Sequence, residues 1–221
     1  MKVRAILIAL TAMTAALMCA DPAGAQTDAL KPVALKKPDL ARKAPLMEAL
    51  SKRMSTREFG AKKLSEQELS DLLWAGNGIN RAASGGRTAP SARNVQDIDI
   101  YAVLPEGAYL YDAKKNELTP VAAGDHRSVI APNQAFVATA PVNLLLVSDY
   151  SRFPGGAGDA GTAIMAAIDA GTVSQNIALF CASAGLVTVP RAMIDSEKTA
   201  AALKLKPTQK ILLNHPVGYP K

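Results

Sequence analysis

The sequence predicts an α+β domain in which helices surround a central mixed or antiparallel sheet. Three observations lead to that class. The stretch "DIDIYAVLP" alternates apolar and polar residues as a strand does, and "GAYLYDAKKNELTPV" reads as two short strands around a turn at Asp112 to Asn116. The run "PVNLLLVSDY", bounded by Pro141 and Asp149, is continuously apolar, as expected of a strand covered on both faces. Helical segments lie on either side: "LSEQELSDLLWAGNGI" before these strands, and an Ala- and Ile-rich stretch from Thr162 to Ala184 after them. There is no internal repeat.

The elements follow in chain order. Lys2 and Arg4 precede the apolar stretch Ala5 to Ala16, and Ala23-Gly24-Ala25 forms a small-x-small cleavage pattern before Gln26. Residues 1–25 therefore read as a cleaved secretory signal and not as a membrane span, because the apolar run is too short and is broken by threonines, and the mature chain reads as a soluble, exported single domain. A lipoprotein reading at Cys19 is opposed by Met18, where a small residue is expected. Residues 26–44 mix prolines and lysines without a sustained period, which predicts an extended surface arm or linker, and one domain spans residues 45–221. Leu46, Met47 and Leu50 fall on one helical face that runs into Arg53. Ser65 and Glu68 form a capping box, Leu64 can staple onto Leu69, Leu69, Leu72 and Leu73 make the buried stripe, and Gly76 to Gly78 ends the helix. The 162–184 stretch is apolar on most sides and predicts a central buried helix. Gly171 in its middle costs about 1 kcal/mol against alanine, which points to close packing of another backbone. Asp195 or Ser196 caps a short helix reaching Lys204, and "KILLNHPVGYP" supplies the last strand.

Composition narrows the chemistry. The formal net charge is +6, and loss of Lys2, Arg4 and Asp21 with the signal lowers it by one. That balance suits an anionic ligand without reaching the extreme that nucleic acid demands. Once Cys19 leaves with the signal, Cys181 has no partner for an intrachain disulfide, and between Phe180 and Ala182 it reads as a small buried hydrophobe. His126 and His215 show none of the spacings zinc uses, and no GxSxG elbow accompanies them; each reads as solvated or structural. "GAGDAG", Gly156 to Gly161, fits GxGxxG, but Ser148 to Gly155 separate it from the preceding strand and too little chain follows for a doubly wound sheet, so a mobile glycine loop is the better reading.

Two polar stretches remain. In "SKRMSTREFG", Arg53 and Arg57, at helical spacing or splayed across a helix end, can converge on one phosphate, with Ser55 donating a further bond. In "GGRTAPSARNVQDIDIYAV", Pro90, Ser91, Asn94 and Gln96 form a polar turn before a strand, suited to a sugar-alcohol chain or a heterocycle edge. Read from the residues alone, these stretches fit an anionic polar ligand and leave a solvated basic surface open.

In order, "RMSTREF", "LSEQELSDLLWAGNGI", "RTAPSARNVQ", "GAYLYD", "DAGTVSQNIALFCASAGL" and "HPVGYP" resemble the nitroreductase family of FMN enzymes, especially the branch that includes the azoline (thiazole and oxazole) dehydrogenases. The resemblance implies that Arg53, Ser55 and Arg57 hold the phosphate, ribityl chain and pyrimidine edge of FMN. It implies that Pro90, Ser91 and Asn94 reach the flavin bound mainly by the other subunit of a homodimer, that Gln134 lies near a polar flavin contact, and that Pro190, Arg191 and Ala192 form the turn whose backbone amide faces the reactive flavin nitrogen. The long helix, Thr162 to Ala184, is then expected at the dimer interface. An absent triad or metal is in keeping with this chemistry, because flavin N5 carries the hydride itself. Three departures stand out: Lys221 or Arg93 would have to replace a further basic pair that the family places beyond the last strand, Ala192 stands where many members carry glutamate, and the signal sends this chain out of the cytosol.

The leading expectation is an exported, periplasmic FMN-dependent oxidoreductase that takes a hydride from an unknown donor, NAD(P)H by analogy, and passes it to a nitroaromatic, quinone or similar acceptor. The alternative is an exported binding or structural module of the same fold with weak or no flavin binding. A nicotinamide-binding dehydrogenase using the glycine loop is a third.

Overall fold

An antiparallel sheet organises the protein, and a computed structural model describes residues 29–155 and 160–221 of it. The signal segment and Gly156 to Asp159 of the glycine loop lie outside the described residues. In chain order the strands are β1 (Val33–Ala34), β2 (Ile79–Arg81), β3 (Gly86–Arg87), β4 (Ile98–Leu104), β5 (Gly107–Asp112), β6 (Glu117–Ala123), β7 (Val142–Asp149), β8 (Val187–Thr188) and β9 (Gln209–Gly218). The helices are α1 (Leu46–Lys52), α2 (Glu66–Asn77), α3 (Arg127–Ile130), α4 (Ala135–Thr139), α5 (Ala160–Ala184) and α6 (Ser196–Ala202). Seven strands form one sheet in the order β1-β6-β5-β4-β7-β9-β8, with every pairing antiparallel, while β2 and β3 form a separate ribbon.

The two-residue period of the central strands splits the core into two layers. Ile100, Ala102, Leu144 and Leu146 face α2 and α5, together with Leu72, Leu73, Val173 and Ile177. Tyr101, Val103, Leu145 and Val147 face the other way, against Ile130, Val137 and Leu203 from the smaller helices. β7 is thus covered on both faces, as its unbroken apolar run requires. The α2 start is the capping box read from the sequence: Ser65 accepts from the Glu68 N–H, and the Glu68 carboxylate accepts from the Ser65 N–H. Gly76 permits α2 to approach the sheet, since a Cβ there would meet Ile100 at 3.1 Å and Ile177 at 3.2 Å. Residues 29–44 lie against the body: β1 pairs with β6, and the Lys36 and Asp39 N–H groups donate to Ser70 and Asp71.

Three expectations about burial change. Leu46 and Met47 on α1 are 60% and 75% exposed, and only Ala49 of that helix is buried. α5 is not covered all round, since Ile164 and Ile168 are 61% and 60% exposed. Gly171, on that uncovered side, meets nothing within 4 Å of where a Cβ would stand, so no backbone of the same protomer packs there. By length and composition α5 could cross a membrane. Its buried Asp169 and its packing against α2 and the sheet identify it as a core helix.

A buried pair of acids ties α5 to the start of β4. Asp97 accepts from Ser148 Oγ through one oxygen, and its other oxygen has no donor. The Asp169 carboxyl is its neighbour and accepts the Ala92 N–H. Burial, reinforced by that second carboxyl, pushes the Asp97 carboxyl up to about 7. A proton on Asp97 therefore contributes stability that is fully present below its unfolded-state range near 4 and is lost as the pH rises through about 7. Asp97→Asn supplies an N–H to Asp169 at every pH. Its urea midpoint is expected to gain on the wild type as the pH rises from about 4 to about 8, and a constant difference over that range would contradict the raised Asp97 carboxyl.

Candidate functional site

Arg53, Ser55 and Arg57 lie where α1 gives way to extended chain. Arg53 already has φ −61° and ψ 118°, while its N–H still donates to Ala49 O at 2.9 Å. Two residues on, Ser55 forms a parallel bridge with Thr188, and the Thr56 N–H donates to the Thr188 carbonyl at 3.0 Å. Residues 53–57 thus add a rudimentary strand to the free edge of β8. Of the two geometries the sequence left open, the arginines are splayed beyond the helix end. Extended alternation then places Arg53, Ser55 and Arg57 on one side of the segment.

The charges on this edge have no counter-ions among the described residues. Among the described residues, neither Arg53 nor Arg57 makes an ion pair or side-chain hydrogen bond, and the Ser55 hydroxyl has no partner. Arg42, Arg127 and Arg152, by contrast, each meet a carboxylate. Arg53 is half-buried and Arg57 exposed, so the pair can reach a ligand at the surface. The 219–221 segment comes to the same region: the Gly60 N–H donates to Tyr219 O at 2.8 Å. That brings the chain end carrying Lys221 towards the arginine segment, whereas Arg93 sits on the polar turn anchored to α5.

The edge continues through the predicted Pro190–Ala192 turn. Arg191 exchanges backbone hydrogen bonds of 3.0 and 2.8 Å with Asn214, so residues 187–191 run along β9 from Gly218 to Asn214. Buried side chains hold this stretch. Arg191 is 8% exposed and points inward: Nη1 donates to Asn214 Oδ1 at 2.8 Å, Nε to Gln134 Oε1 at 3.2 Å, and Nη2 to Met193 O. These acceptors are neutral, and burial lowers the arginine pKa. Asn214 extends the network to Asn143 Oδ1 and Leu144 O. Nearby, Thr188 and His215 are buried and bonded to each other. Pro190 and Ala192 remain exposed, and the Ala192 N–H has no acceptor among the described residues.

Gln134, at the start of α4, is brought to this turn by Arg191. A cleft of about 250 Å³ opens there, lined by Ala131, Pro132, Asn133, Gln134, Met193, Ile194 and Asp195. Its walls combine apolar side chains with two amides and the Asp195 carboxylate.

Pro90, Ser91 and Asn94 lie elsewhere. Ala92 N–H donates to Asp169 on α5, and Thr172 Oγ, which also lies 2.8 Å from Asp169 O, is 3.1 Å from Pro90 O. Ser91 Oγ already accepts from the Gln96 N–H at 2.9 Å, and Asn94 Oδ1 accepts from Gln96 Nε2 at 3.3 Å. Arg93, Asn94 and Gln96 all take positive φ, at 53°, 55° and 51°, a strained arrangement that the Asp169 anchor helps to hold. The α1 end packs instead near Ala182 and Ser183. At 1.5 Å per residue, about 20 Å of helix separates those anchor points. One protomer therefore does not bring the polar turn to the arginine edge.

Sequence reasoning missed Thr188, Asn143 and Asn214 and treated His215 as bland. The available signal was Asn214-His215 as consecutive polar residues in an otherwise apolar terminal strand.

The nitroreductase family model matches residues 50–219. A Methanocaldococcus jannaschii protein bearing the nitroreductase name is 30% identical over 182 residues, covering 78% of this chain and 90% of that protein. A crystal structure from Ralstonia eutropha bearing the same name is 36% identical with a TM-score of 0.81, covering 86% of this chain and 90% of that one. The Escherichia coli microcin synthetase McbBCD complex contains a chain of the same fold, with a TM-score of 0.66 at 19% identity, covering 74% of this chain and 67% of that chain. On the family match and the coverage of these relatives, the chain belongs to the nitroreductase family of oxidoreductases.

Proposed function

We propose that the protein is an exported, FMN-dependent oxidoreductase that works as a homodimer, taking a hydride from a donor that family analogy makes NAD(P)H and delivering it to a nitroaromatic, quinone or similar acceptor. The observation that carries the cofactor assignment is the unpaired Arg53–Ser55–Arg57 edge. Two guanidiniums and a hydroxyl without internal partners are the donor set a phosphate dianion takes, through forked, charge-assisted hydrogen bonds. Bound FMN would supply the hydride chemistry at its N5. The protein's part is to bind and orient. The free Ala192 N–H offers a backbone donor, Arg191 holds the Gln134 amide beside it, and the adjoining cleft has room for a small, largely apolar acceptor.

The uncovered side of α5 supports the homodimer. Ile164, Ala167, Ile168 and Gly171 recur at helical spacing on that exposed side, where a second copy would find apolar contact and a close approach at the glycine. A second copy would also bring its own Pro90–Asn94 turn, which one protomer keeps away from its own arginine edge. Export rests on the N-terminal signal pattern alone.

The mature chain is expected to purify yellow or to take up FMN with a flavin absorption spectrum. Charge-assisted hydrogen bonds contribute about 1.5–3 kcal/mol each, so Arg53→Ala with Arg57→Ala is expected to weaken FMN binding about 100-fold or more and riboflavin binding markedly less. Equal losses for both ligands, or none, would reject the phosphate assignment. Ile168→Glu is expected to convert the dimer to monomer in sedimentation analysis and to lower flavin content with it. A wild-type monomer that retains flavin would contradict the dimer.

A further inference from the structure

His215 is fully buried in β9 with both ring nitrogens engaged: Nε2 lies 2.7 Å from Ser174 Oγ of α5, and Nδ1 lies 3.1 Å from Thr188 Oγ. The third bond at Thr188 settles the tautomer. Thr188 Oγ has one proton and donates it to the Pro216 carbonyl at 2.8 Å. Nδ1 must therefore carry the proton that Thr188 accepts, leaving Nε2 to accept from the Ser174 hydroxyl. Burial lowers the imidazole pKa to about 3, so the ring stays neutral at ordinary pH.

The connection continues through the backbone of Thr188, whose carbonyl accepts from the Thr56 N–H at 3.0 Å between the two arginines, next to Arg57. The ends of that segment are tied separately, Arg53 N–H to Ala49 O and Gly60 N–H to Tyr219 O. We propose that His215 is a positioning residue for the anion-binding edge: by fixing Thr188 against α5 and β9, it sets where the backbone between Arg53 and Arg57 lies. An apolar side chain could fill the core there without burying an imidazole. It would leave the Thr188 hydroxyl without one of its two partners and the β8 edge less firmly placed. The inference rests on the proposed role of Arg53 and Arg57, because two guanidiniums serve one phosphate only if their common backbone is held to a fraction of an ångström.

The test compares the mature wild type with Thr188→Val, His215→Leu and His215→Asn by two readouts. The first is amide hydrogen exchange at Thr56 in the flavin-free protein, normalised to the Leu145 amide in the core; the second is the ratio of FMN to riboflavin affinity. Thr188→Val and His215→Leu are expected to speed Thr56 exchange about 10-fold relative to Leu145 and to lower the FMN preference by a similar factor. His215→Asn, whose side-chain amide can replace the Nδ1 donor, is expected to stay within about 3-fold of the wild type in both. If His215→Leu fails to fold, Thr188→Val carries the comparison. Wild-type Thr56 exchange in a folded Thr188→Val protein overturns the proposal, as does failure of asparagine to rescue a folded His215→Leu defect. If exchange responds as expected but Arg53→Ala with Arg57→Ala leaves FMN binding unchanged, the cofactor assignment fails, and with it the FMN-specific role given to His215.

Discussion

The backbone hydrogen bond from Thr56 to Thr188 turns a sequence spacing into a candidate site. Without it, Arg53 and Arg57 belong to a loop after a short helix, and two long cationic side chains in such a loop lose entropy without gaining a fixed target. With it, the segment becomes a further strand on the sheet, and both arginines inherit the position of β8. The same edge continues into Pro190 to Ala192, so the proposed anion-binding groups and a free backbone donor share one support.

That support is unusually polar for a core. Asn143, Asn214 and Arg191 form one buried network, and Ser174, His215 and Thr188 form another. Each group would be costly in the interior without partners, and each has them. Apolar residues could pack the same space. Hydrogen bonds add direction, and direction is what residues 187–192 require if backbone groups and arginines are to face a common ligand. The contrast with α2 is instructive: there Leu72 and Leu73 bury completely and Gly76 closes the gap to the sheet, which secures the layer without orienting a functional group.

Local signals were legible wherever the fold depends on neighbours in sequence. The Ser65–Glu68 capping box, the alternation of β4 and the two-faced burial of β7 all follow from short-range pattern. The RMSTREF motif located the candidate grip but could not choose between helical and splayed geometry, because that depends on Thr188, more than a hundred residues away. His215 looked like the end of a strand for the same reason, its partners being Ser174 and Thr188. The exposed apolar faces of α1 and α5 mark a different limit. Periodicity identifies a face to be covered, but it does not say whether the cover belongs to the same chain or to another copy.

The most direct test of this account is a crystal structure of the mature protein with FMN. The account predicts the phosphate between Arg53 and Arg57 of one protomer, with the Pro90–Asn94 turn of a second copy closing the same site. A phosphate bound away from those arginines, or a complete flavin site formed within a single protomer, would contradict it.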